Sequence, residues 1–387
     1  MTESDARYAR QMRLPGFGPE GQLRLARARV LVAGCGALGT VVSESLVRAG
    51  VGTVTIVDRD CVEWSNLQRQ TLFTEQDARR GVPKAEAAKA RLAQVNASAV
   101  VRAFVDDLRP SNALSYARDA DLVVDCLDNF ETRALLNDCA VLRRIPLIYG
   151  GAVGFDGMVA AILPHGADPT VGFGGLVSWS DERSTPCLRC LMPELPAPAE
   201  IPTCDTAGVL GPVAGLVGSV EAALAIRLVA EGPTAVPAVI SRFDLRGLRF
   251  SSASLDGVRD PSCACCARRS FEELSRGDDP RGCRTLCGRN AVEVRLVMPR
   301  ATDDLDRLAK SLAERFDALA SNGTLGDVEH SEHGATRAIR ARVTDRAAGA
   351  GPTGIHVLIG PSGAFAILEG TAEPEQARAA VARWIGV

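Results

Sequence analysis

The sequence predicts an α/β fold built on a doubly wound, Rossmann-like and mainly parallel sheet. Three apolar runs typical of buried strands lie at residues 30–33, 53–57 and 121–126. Helical stretches separate these runs, as in repeated strand–helix units. A glycine-rich turn directly follows the first run, and this is the place where such sheets bind a ligand.

The chain is long enough for two domains, because 387 residues exceed the usual size of one hydrophobic core. We predict that residues 1–266 form the sheet domain and that 267–290 form a linker. Residues 291–387 then form a small α/β domain of a role that the sequence does not indicate. Its predicted strands and helices are, in chain order, 291–298, 303–319, 336–343, 354–359, 364–368 and 374–385.

The glycine-rich turn is the first functional signal. Residues 34–39 read Gly-Cys-Gly-Ala-Leu-Gly, and a helix is predicted over 41–48. Glycines let the backbone approach a phosphate, and a helix N-terminus offers unpaired N–H groups and the positive end of a dipole. The turn therefore indicates a nucleotide site, although alone it leaves open a dinucleotide, a mononucleotide or a structural turn.

An acid and a polar run follow the second predicted strand. Asp58 comes directly after 53–57, where a ribose hydroxyl would be bound. Residues 65–70 read Ser-Asn-Leu-Gln-Arg-Gln, and such groups hold phosphate oxygens and offset the charge on a leaving pyrophosphate. A dehydrogenase needs a proton relay near its nicotinamide, but all four histidines stand at position 165 or later. The pattern therefore favours chemistry at the phosphates over hydride transfer.

Lysine is rare in this chain, since only Lys84, Lys89 and Lys310 occur among 44 basic residues. A lysine retained at position 84 indicates a compact point charge that a guanidinium group cannot replace. The alternative is a solvated lysine on the helix predicted over 85–95. We favour that alternative for Lys89 and Lys310.

The third apolar run, 121–126, leads into Asp128 and Asn129 and then into a helix predicted to begin near Thr132. In a doubly wound sheet the carboxyl ends of the strands face the ligand, so both side chains should point at the nucleotide. A carboxylate there can hold Mg²⁺ against the phosphates. The alternative for Asp128 is a helix N-cap, and both roles are compatible.

Twelve cysteines, with no recognisable signal peptide or long membrane-spanning run, predict a cytoplasmic, reducing environment in which paired cysteines more often bind metal. Two pairs of zinc-ribbon spacing occur, Cys187 with Cys190 and Cys263 with Cys266. Four thiolates would close a structural Zn²⁺ site. The alternative is a set of buried thiols, and spacing alone also permits Cys265 in the second pair.

The motifs together resemble those of the MoeB/ThiF/HesA group of ubiquitin-activating-enzyme-like adenylyltransferases. The resemblance covers about the first 270 residues. It runs, in order, through residues 7–11 (Arg-Tyr-Ala-Arg-Gln), the turn at 34–39, Val57 and Asp58, the polar run at 65–70, residues 82–84 (Val-Pro-Lys), 125–129 (Asp-Cys-Leu-Asp-Asn), 187–190, 203–208 (Thr-Cys-Asp-Thr-Ala-Gly) and 263–266.

Members of this group adenylate the C-terminal glycine carboxylate of a small ubiquitin-like sulfur carrier, with ATP and Mg²⁺. The resemblance implies that Arg10 reaches the phosphates of a neighbouring subunit, and hence a homodimer. This chain has Ala37 where the group usually has a further glycine, and the Ala37 N–H still serves a phosphate. The residues expected to line the ATP site are Gly34, Gly36, Ala37, Gly39, Asp58, Ser65, Asn66, Leu67, Gln68, Arg69, Lys84, Asp128 and Asn129.

Cys204 stands apart from the paired cysteines and precedes an apolar stretch, 209–229, predicted as a buried helix. A thiol before a helix N-terminus has a lowered pKa, which favours the thiolate. The resemblance implies a nucleophile that forms a thioester or acyl-disulfide with the carrier, and the alternative is a small buried hydrophobe. Residues 165–186 and 193–202 are rich in glycine, proline and polar residues and are predicted as loops over the site.

Charge and composition exclude some partners. A formal charge of −3 and 4% aromatic residues give no basic surface or stacking platform, so we expect neither nucleic acid nor a membrane as partner. No cysteine follows Cys287, so residues 291–387 cannot carry a persulfide, and a separate sulfur donor or sulfurtransferase is expected. Cys283 and Cys287 have no assigned role.

The resulting prediction is carboxylate activation, in which Arg10, Arg69, Lys84 and Asp128 with Mg²⁺ act on the triphosphate and Cys204 acts on the acyl-adenylate. A carboxylate is already ionised at neutral pH, so no basic side chain is needed. Two alternatives remain at this point. One is a related protein that activates another carboxylate, such as that of an amino acid or peptide, or that only scaffolds a biosynthetic complex. The other is a nicotinamide-dependent oxidoreductase.

Overall fold

The computed structural model divides the chain into two compact units, Met1–Gly277 and Asp278–Val387. The boundary falls inside the stretch 267–290 that the sequence predicts as a linker. The residues whose structure is described are 3–165, 179–195, 207–278, 283–286, 291–296, 305–333, 336–344, 352–360, 363–371 and 373–385.

The first unit is organised around an eight-stranded sheet. Its strand order is β3-β2-β1-β4-β5-β6-β7-β8. Strands β1 to β5 pair in parallel, and β6 to β8 continue the sheet in antiparallel fashion. The strands are β1 (Arg29–Ala33), β2 (Thr53–Val57), β3 (Val100–Phe104), β4 (Leu122–Asp125), β5 (Leu147–Val153), β6 (Asp156–Ile162), β7 (Val239–Asp244) and β8 (Arg249–Ser254).

Helices cover both faces of this sheet, which confirms the doubly wound, mainly parallel fold. Helix α3 packs against α5 and α9 on one face, and α6 packs against α7 on the other. The helices of the unit are α1 (Glu3–Tyr8), α2 (Gly18–Arg27), α3 (Ala37–Ala49), α4 (Glu75–Arg80), α5 (Lys84–Val95), α6 (Ala113–Ala117), α7 (Phe130–Arg143), α8 (Leu188–Leu191), α9 (Gly211–Glu231) and α10 (Glu272–Ser275).

The sheet contains a strand that the three apolar runs do not reveal. The run at 121–126 forms β4, not the third strand, and β3 lies at the edge beside β2. Its residues are at most partly buried, so it lacks the continuous apolar character of a central strand. The three strands predicted from the apolar runs, β1, β2 and β4, are nevertheless neighbours at the centre of the parallel part of the sheet.

Helix α9 is the buried helix predicted after Gly208. It is long and apolar enough to cross a membrane by length and composition alone. It packs along α3, β5 and β6, and residues such as Val213, Val217 and Ala225 are fully enclosed. This is the packing of a core helix, and it closes one face of the sheet behind the glycine-rich turn.

The second unit is a six-stranded antiparallel sheet with two helices. The strand order is β11-β12-β13-β14-β10-β9. Phe316 and Trp384, from the two helices, lie in one apolar cluster with the sheet. The elements are β9 (Cys283–Leu286), β10 (Ala291–Arg295), α11 (Leu305–Ser321), β11 (Leu325–His333), β12 (Thr336–Val343), β13 (Gly354–Gly360), β14 (Gly363–Glu369) and α12 (Pro374–Trp384).

The stretch predicted as a linker has structure at both ends. Helix α10 packs against α7 of the first unit, with the Glu273 N–H donating to the Asp138 carboxylate at 3.0 Å. Strand β9 pairs with β10 as an edge of the second sheet. The predicted linker therefore contains a short helix and a short strand. Each is held by hydrogen bonds to a neighbouring element, so each needs few apolar residues of its own.

Candidate active site

The glycine-rich turn joins β1 to α3 in a conformation that needs its glycines. Gly34 has φ +88°, a left-handed conformation that favours glycine, and its N–H donates to the Val57 carbonyl at 2.9 Å. A β-carbon at Gly39 would collide with the Gly34 carbonyl, so only glycine lets α3 begin this close to the turn. Gly36 precedes α3 and Ala37 is its first residue. The N–H groups of this N-terminus open at the carboxyl edge of the sheet.

Register shows that three strands deliver their next residues to the same edge. Ala33 of β1 pairs with Val57 of β2 and with Asp125 of β4. The turn at Gly34, the Asp58 carboxylate and the 126–129 loop therefore follow adjacent strand ends. Such a switch point in a parallel sheet is where this class of fold binds its ligand.

Asp58 is held by the turn itself. One carboxylate oxygen accepts the Cys35 N–H at 2.6 Å, and the other accepts the Asp60 N–H at 2.7 Å. Burial raises the pKa of the Asp58 carboxyl, and the nearby Lys84 ammonium acts against that rise. The acid is thus fixed in orientation beside the turn, where a ribose hydroxyl would lie.

Lys84 is buried, with 2% of its surface exposed, so the solvated alternative does not hold. Its Nζ lies 2.9 Å from the Asp60 carboxylate, and its backbone N–H donates to the Asp60 carbonyl at 2.8 Å. As the first residue of α5, it places its ammonium near the positive end of that helix. The site therefore holds a fixed, buried ammonium that is ion-paired with the Asp60 carboxylate.

The polar run at 65–70 overlaps the end of the short 3₁₀ helix Trp64–Asn66 and continues from it as a turn. Asn66 is buried, and its side-chain oxygen accepts the Glu63 N–H at 3.1 Å. Arg69 donates to the Ser65 carbonyl at 2.8 Å, while Leu67 is partly buried and Gln68 exposed. Asn66 thus stabilises the turn locally, and the chain presents the Arg69 guanidinium from it.

The 126–129 loop assigns the helix cap to Asn129, not to Asp128. The Asn129 side-chain oxygen accepts the Thr132 N–H at 2.9 Å, and α7 begins at Phe130 instead of near Thr132. The Asp128 side chain is exposed at the carboxyl edge. An exposed carboxylate beside the glycine-rich turn is the type of oxygen ligand that Mg²⁺ prefers.

Two further predicted residues are Arg10 and Cys204. Arg10 is exposed at the start of the short 3₁₀ helix Gln11–Arg13. Cys204 lies outside the described residues, as do most of 165–186 and 193–202, namely 166–178 and 196–202.

Sequence reasoning missed a buried charged cluster below the crevice. Arg133 and Asp125 form an ion pair of 3.1 Å with almost no exposure, and Glu221 on α9 is also fully buried. Burial raises the pKa of the Glu221 carboxyl well above its usual range. The sequence signal that could have revealed Arg133 is its position four residues after Asn129, the N-cap of α7. Arginine is so frequent in this chain that this spacing does not stand out.

The cysteine pairs come together as predicted. The four sulfur atoms of Cys187, Cys190, Cys263 and Cys266 lie within 4.8 Å of one another. Individual sulfur–sulfur distances are 3.9, 3.7 and 3.4 Å for the pairs 187–190, 187–263 and 190–266. A tetrahedral zinc with Zn–S bonds of about 2.3 Å separates its sulfurs by about 3.8 Å, so the set fits zinc.

The alternative with Cys265 as a ligand is excluded by its position. The Cys265 sulfur accepts a hydrogen bond from the Asn137 side-chain amide at 3.3 Å, and it is not a member of the four-sulfur set. Cys283 lies in β9 and Cys287 outside the described residues, so neither gains a role.

Comparisons with known proteins agree with this geometry. The model of the ThiF family matches residues 8–265. The sulfur carrier protein ThiS adenylyltransferase of Bacillus subtilis is 39% identical over 316 residues, covering 82% of this chain and 87% of the relative. The sulfur carrier protein adenylyltransferase of Thermus thermophilus is 43% identical over 260 residues, covering 67% and 90%. The first alignment is longer than the 277-residue first unit, so the likeness extends into the second unit.

A third relative and a solved structure extend the comparison. The SAMP-activating enzyme E1 of Haloferax volcanii is 34% identical over 277 residues, covering 72% of this chain and 94% of the relative. The crystal structure of Escherichia coli MccB with ATP superposes with a TM-score of 0.55 at 23% identity, covering 67% of this chain and 74% of MccB. That structural likeness supports the fold alone.

Proposed function

Because the chain belongs to the ThiF family, we propose that it is an ATP-dependent adenylyltransferase that activates the C-terminal carboxylate of a small ubiquitin-like sulfur carrier. Relatives named for the adenylation of sulfur carrier proteins support this substrate class. The observation that carries the proposal is the buried Lys84 ammonium, fixed beside Asp58 at the edge where the glycine-rich turn opens.

The reaction joins a carboxylate oxygen of the carrier to the α-phosphorus of ATP. The bond from the α-phosphorus to the bridging oxygen breaks, and pyrophosphate leaves with that electron pair. Lys84 and Arg69 offset the charge on the leaving group, and Arg10 of a second subunit adds a further cation in a homodimer. The carboxylate is ionised at neutral pH, so the protein supplies orientation and charge instead of a base.

Two metal ions complete the proposal. Asp128 would hold Mg²⁺, which when bound offsets phosphate charge. The four cysteines would hold a structural zinc, because four thiolates leave no open position for a substrate.

Sulfur enters after adenylation. The acyl-adenylate is attacked, with AMP as the leaving group, either by Cys204, which gives a thioester from which a donor persulfide then displaces the Cys204 thiolate, or directly by the donor persulfide. Both routes give an acyl-disulfide, and a further thiol cleaves its S–S bond, which releases the thiocarboxylate and forms a disulfide. We expect Cys204→Ala to keep the adenylation rate and to lower the rate of thiocarboxylate formation. Equal rates of sulfur transfer in the two proteins would assign Cys204 a structural role.

The decisive experiment is ATP–pyrophosphate exchange with a panel of small carrier proteins ending in Gly-Gly. We expect exchange with at least one carrier and none with the same carrier lacking its last glycine. Exchange driven instead by a free amino acid or a short peptide would assign another carboxylate as substrate. Binding of NAD in preference to ATP, without exchange, would overturn the proposal.

A further inference from the structure

Asp128 lies between two anchored backbone positions. The Leu127 N–H, on its N-terminal side, donates to the Asp125 carboxylate at 3.1 Å, and the Leu127 carbonyl accepts a hydrogen bond from the Arg133 guanidinium. On its other side, Asn129 caps α7 through the Thr132 N–H. The backbone is therefore held on both sides of Asp128 while the carboxylate itself is exposed.

Arg133 connects three parts of the sheet edge. Its guanidinium donates to the Asp125 carboxylate at 3.1 Å, to the Gly150 carbonyl of β5 at 2.7 Å and to the Leu127 carbonyl. Its Cζ lies 4.9 Å from the centre of the Tyr149 ring. A planar guanidinium reaches several acceptors at once and stacks on a ring, which the ammonium of lysine cannot do.

The burial of this pair indicates a role other than stability. Asp125 is fully buried and Arg133 is 5% exposed. Removing two charges from water offsets most of their attraction, so apolar residues would hold the strands as well. Apolar residues would not, however, bond the Leu127 peptide groups that flank the exposed acid.

We infer that Arg133 and Asp125 are positioning residues that fix the Leu127 peptide, so that the Asp128 carboxylate faces a divalent cation bound to the nucleotide phosphates. This inference rests on the proposed function, because that function requires a nucleotide with its cation at this edge. Neighbours that orient a metal-binding group typically change metal affinity by about 10- to 100-fold when they are lost.

The test is Arg133→Lys, which keeps the charge but loses the fork of donors. In a calorimetric titration with ATP at a series of Mg²⁺ concentrations, without carrier, we expect the Mg²⁺ needed for half-maximal ATP binding to rise about 10-fold or more. Hydrogen exchange of the Leu127 amide should become faster in the same variant. In pyrophosphate exchange the Mg²⁺ requirement should rise by a similar factor.

A matched control lies at the other end of the same strands. Arg29 of β1 pairs with the buried Asp121, just before β4, at 3.0 Å, far from the carboxyl edge. Arg29→Lys weakens an ion pair of similar length in the same sheet whose arginine side chain is 42% exposed, so it should lower the melting temperature less than Arg133→Lys does and leave the Mg²⁺ requirement unchanged. If the Mg²⁺ requirement rises equally in Arg29→Lys and Arg133→Lys, the rise reflects a general loss of stability, and the inference is wrong.

The remaining outcomes separate this inference from the proposed function. An unchanged Mg²⁺ requirement in folded Arg133→Lys, with Asp128→Asn raising it, overturns the inference and leaves the function in place. The binding titration needs no carrier, so it decides the positioning role even if no carrier supports exchange. Should Arg133→Lys fail to fold, Asp125→Ala removes the acceptor of the Leu127 N–H and must show the same rise.

Discussion

The two units differ in what they bury. The first unit encloses ionisable side chains near its crevice, including Lys84, Asp125, Arg133 and Glu221. Within the described part of the second unit, no lysine, arginine, aspartate or glutamate is buried, and the polar residues that are buried include His333 and His356. Burial lowers the pKa of His356 to about 3, so that ring is uncharged at neutral pH.

This difference distinguishes a unit with buried ionisable groups from a unit that is held mainly by apolar packing. Burying an ionisable group is unfavourable unless it is paired or used, and such groups cluster at functional sites, so we expect substrate charge to be handled in this part of the first unit. The second unit is held by an apolar cluster, and its described residues include no comparable group. Changes in the first unit should therefore affect activity or metal content, and changes in the second should affect stability alone.

The largest expected effect is loss of the metal. Cys266→Ser should remove zinc from the four-sulfur set and strongly destabilise the first unit, since structural zinc contributes about 10 kcal/mol or more to small zinc domains. Zinc content by mass spectrometry and the free energy of unfolding measure the effect. Cys265→Ser is the control, because that residue lies outside the set and should retain one zinc per chain. Zinc loss in Cys265→Ser instead would reverse the assignment of ligands.

The next effect tests the second unit. Phe316 is fully buried in its apolar cluster, and Phe316→Ala should lower the free energy of unfolding of that unit by about 3–5 kcal/mol. We expect the pyrophosphate exchange rate to stay unchanged below the melting temperature. The control is Glu314→Ala, exposed on the same helix. A large fall in exchange by folded Phe316→Ala would show that the second unit takes part in adenylation.

The corresponding change in the crevice is Lys84→Ala. Loss of a fixed charge at the phosphates should slow pyrophosphate exchange by about 100- to 1,000-fold. Lys89→Ala is the matched control, because Lys89 is exposed on the same helix. Melting temperatures establish that both variants fold, which is necessary because Asp60 loses its buried partner in Lys84→Ala. Normal exchange in the folded variant would remove Lys84 from the mechanism.

The last expected effect concerns Glu221 and depends on pH. Both of its carboxylate oxygens are buried and accept no hydrogen bond, and burial raises the pKa of the carboxyl. The folded state therefore keeps a proton that the unfolded state releases above its pKa of about 4.3. Stability from this group is complete below that pH and is lost as the pH rises toward the raised folded pKa, by up to about 1.4 kcal/mol per pH unit.

Glu221→Gln cannot release a proton, so its advantage over the natural protein should grow between pH 5 and pH 8. The free energy of unfolding in urea at the two pH values measures this difference. Glu20→Gln, at an exposed position of α2, should show no such growth. Parallel pH profiles for the natural protein and Glu221→Gln would mean that Glu221 is ionised in the folded state.

The sequence predicted the central sheet and the residues at its carboxyl edge because glycine turns, strand ends and scarce lysines are local signals. It did not reveal β3, where Val100 and Arg102 are exposed, or β5, where Gly150 and Gly151 interrupt the strand pattern. Arg133 was missed because its partners come from β4, β5 and the loop between, which no spacing in the chain records. The choice between Cys265 and Cys266 likewise needed the fold.

The burial of Lys84 has a further consequence for the surface. Of three lysines in the whole chain, only Lys89 and Lys310 have exposed side chains. An acyl-adenylate is electrophilic and would acylate any primary amine near it, so an enzyme that makes one benefits from presenting few such nucleophiles. The same scarcity means that amine-reactive labels will modify this protein at very few side chains, which suits site-selective attachment of a probe.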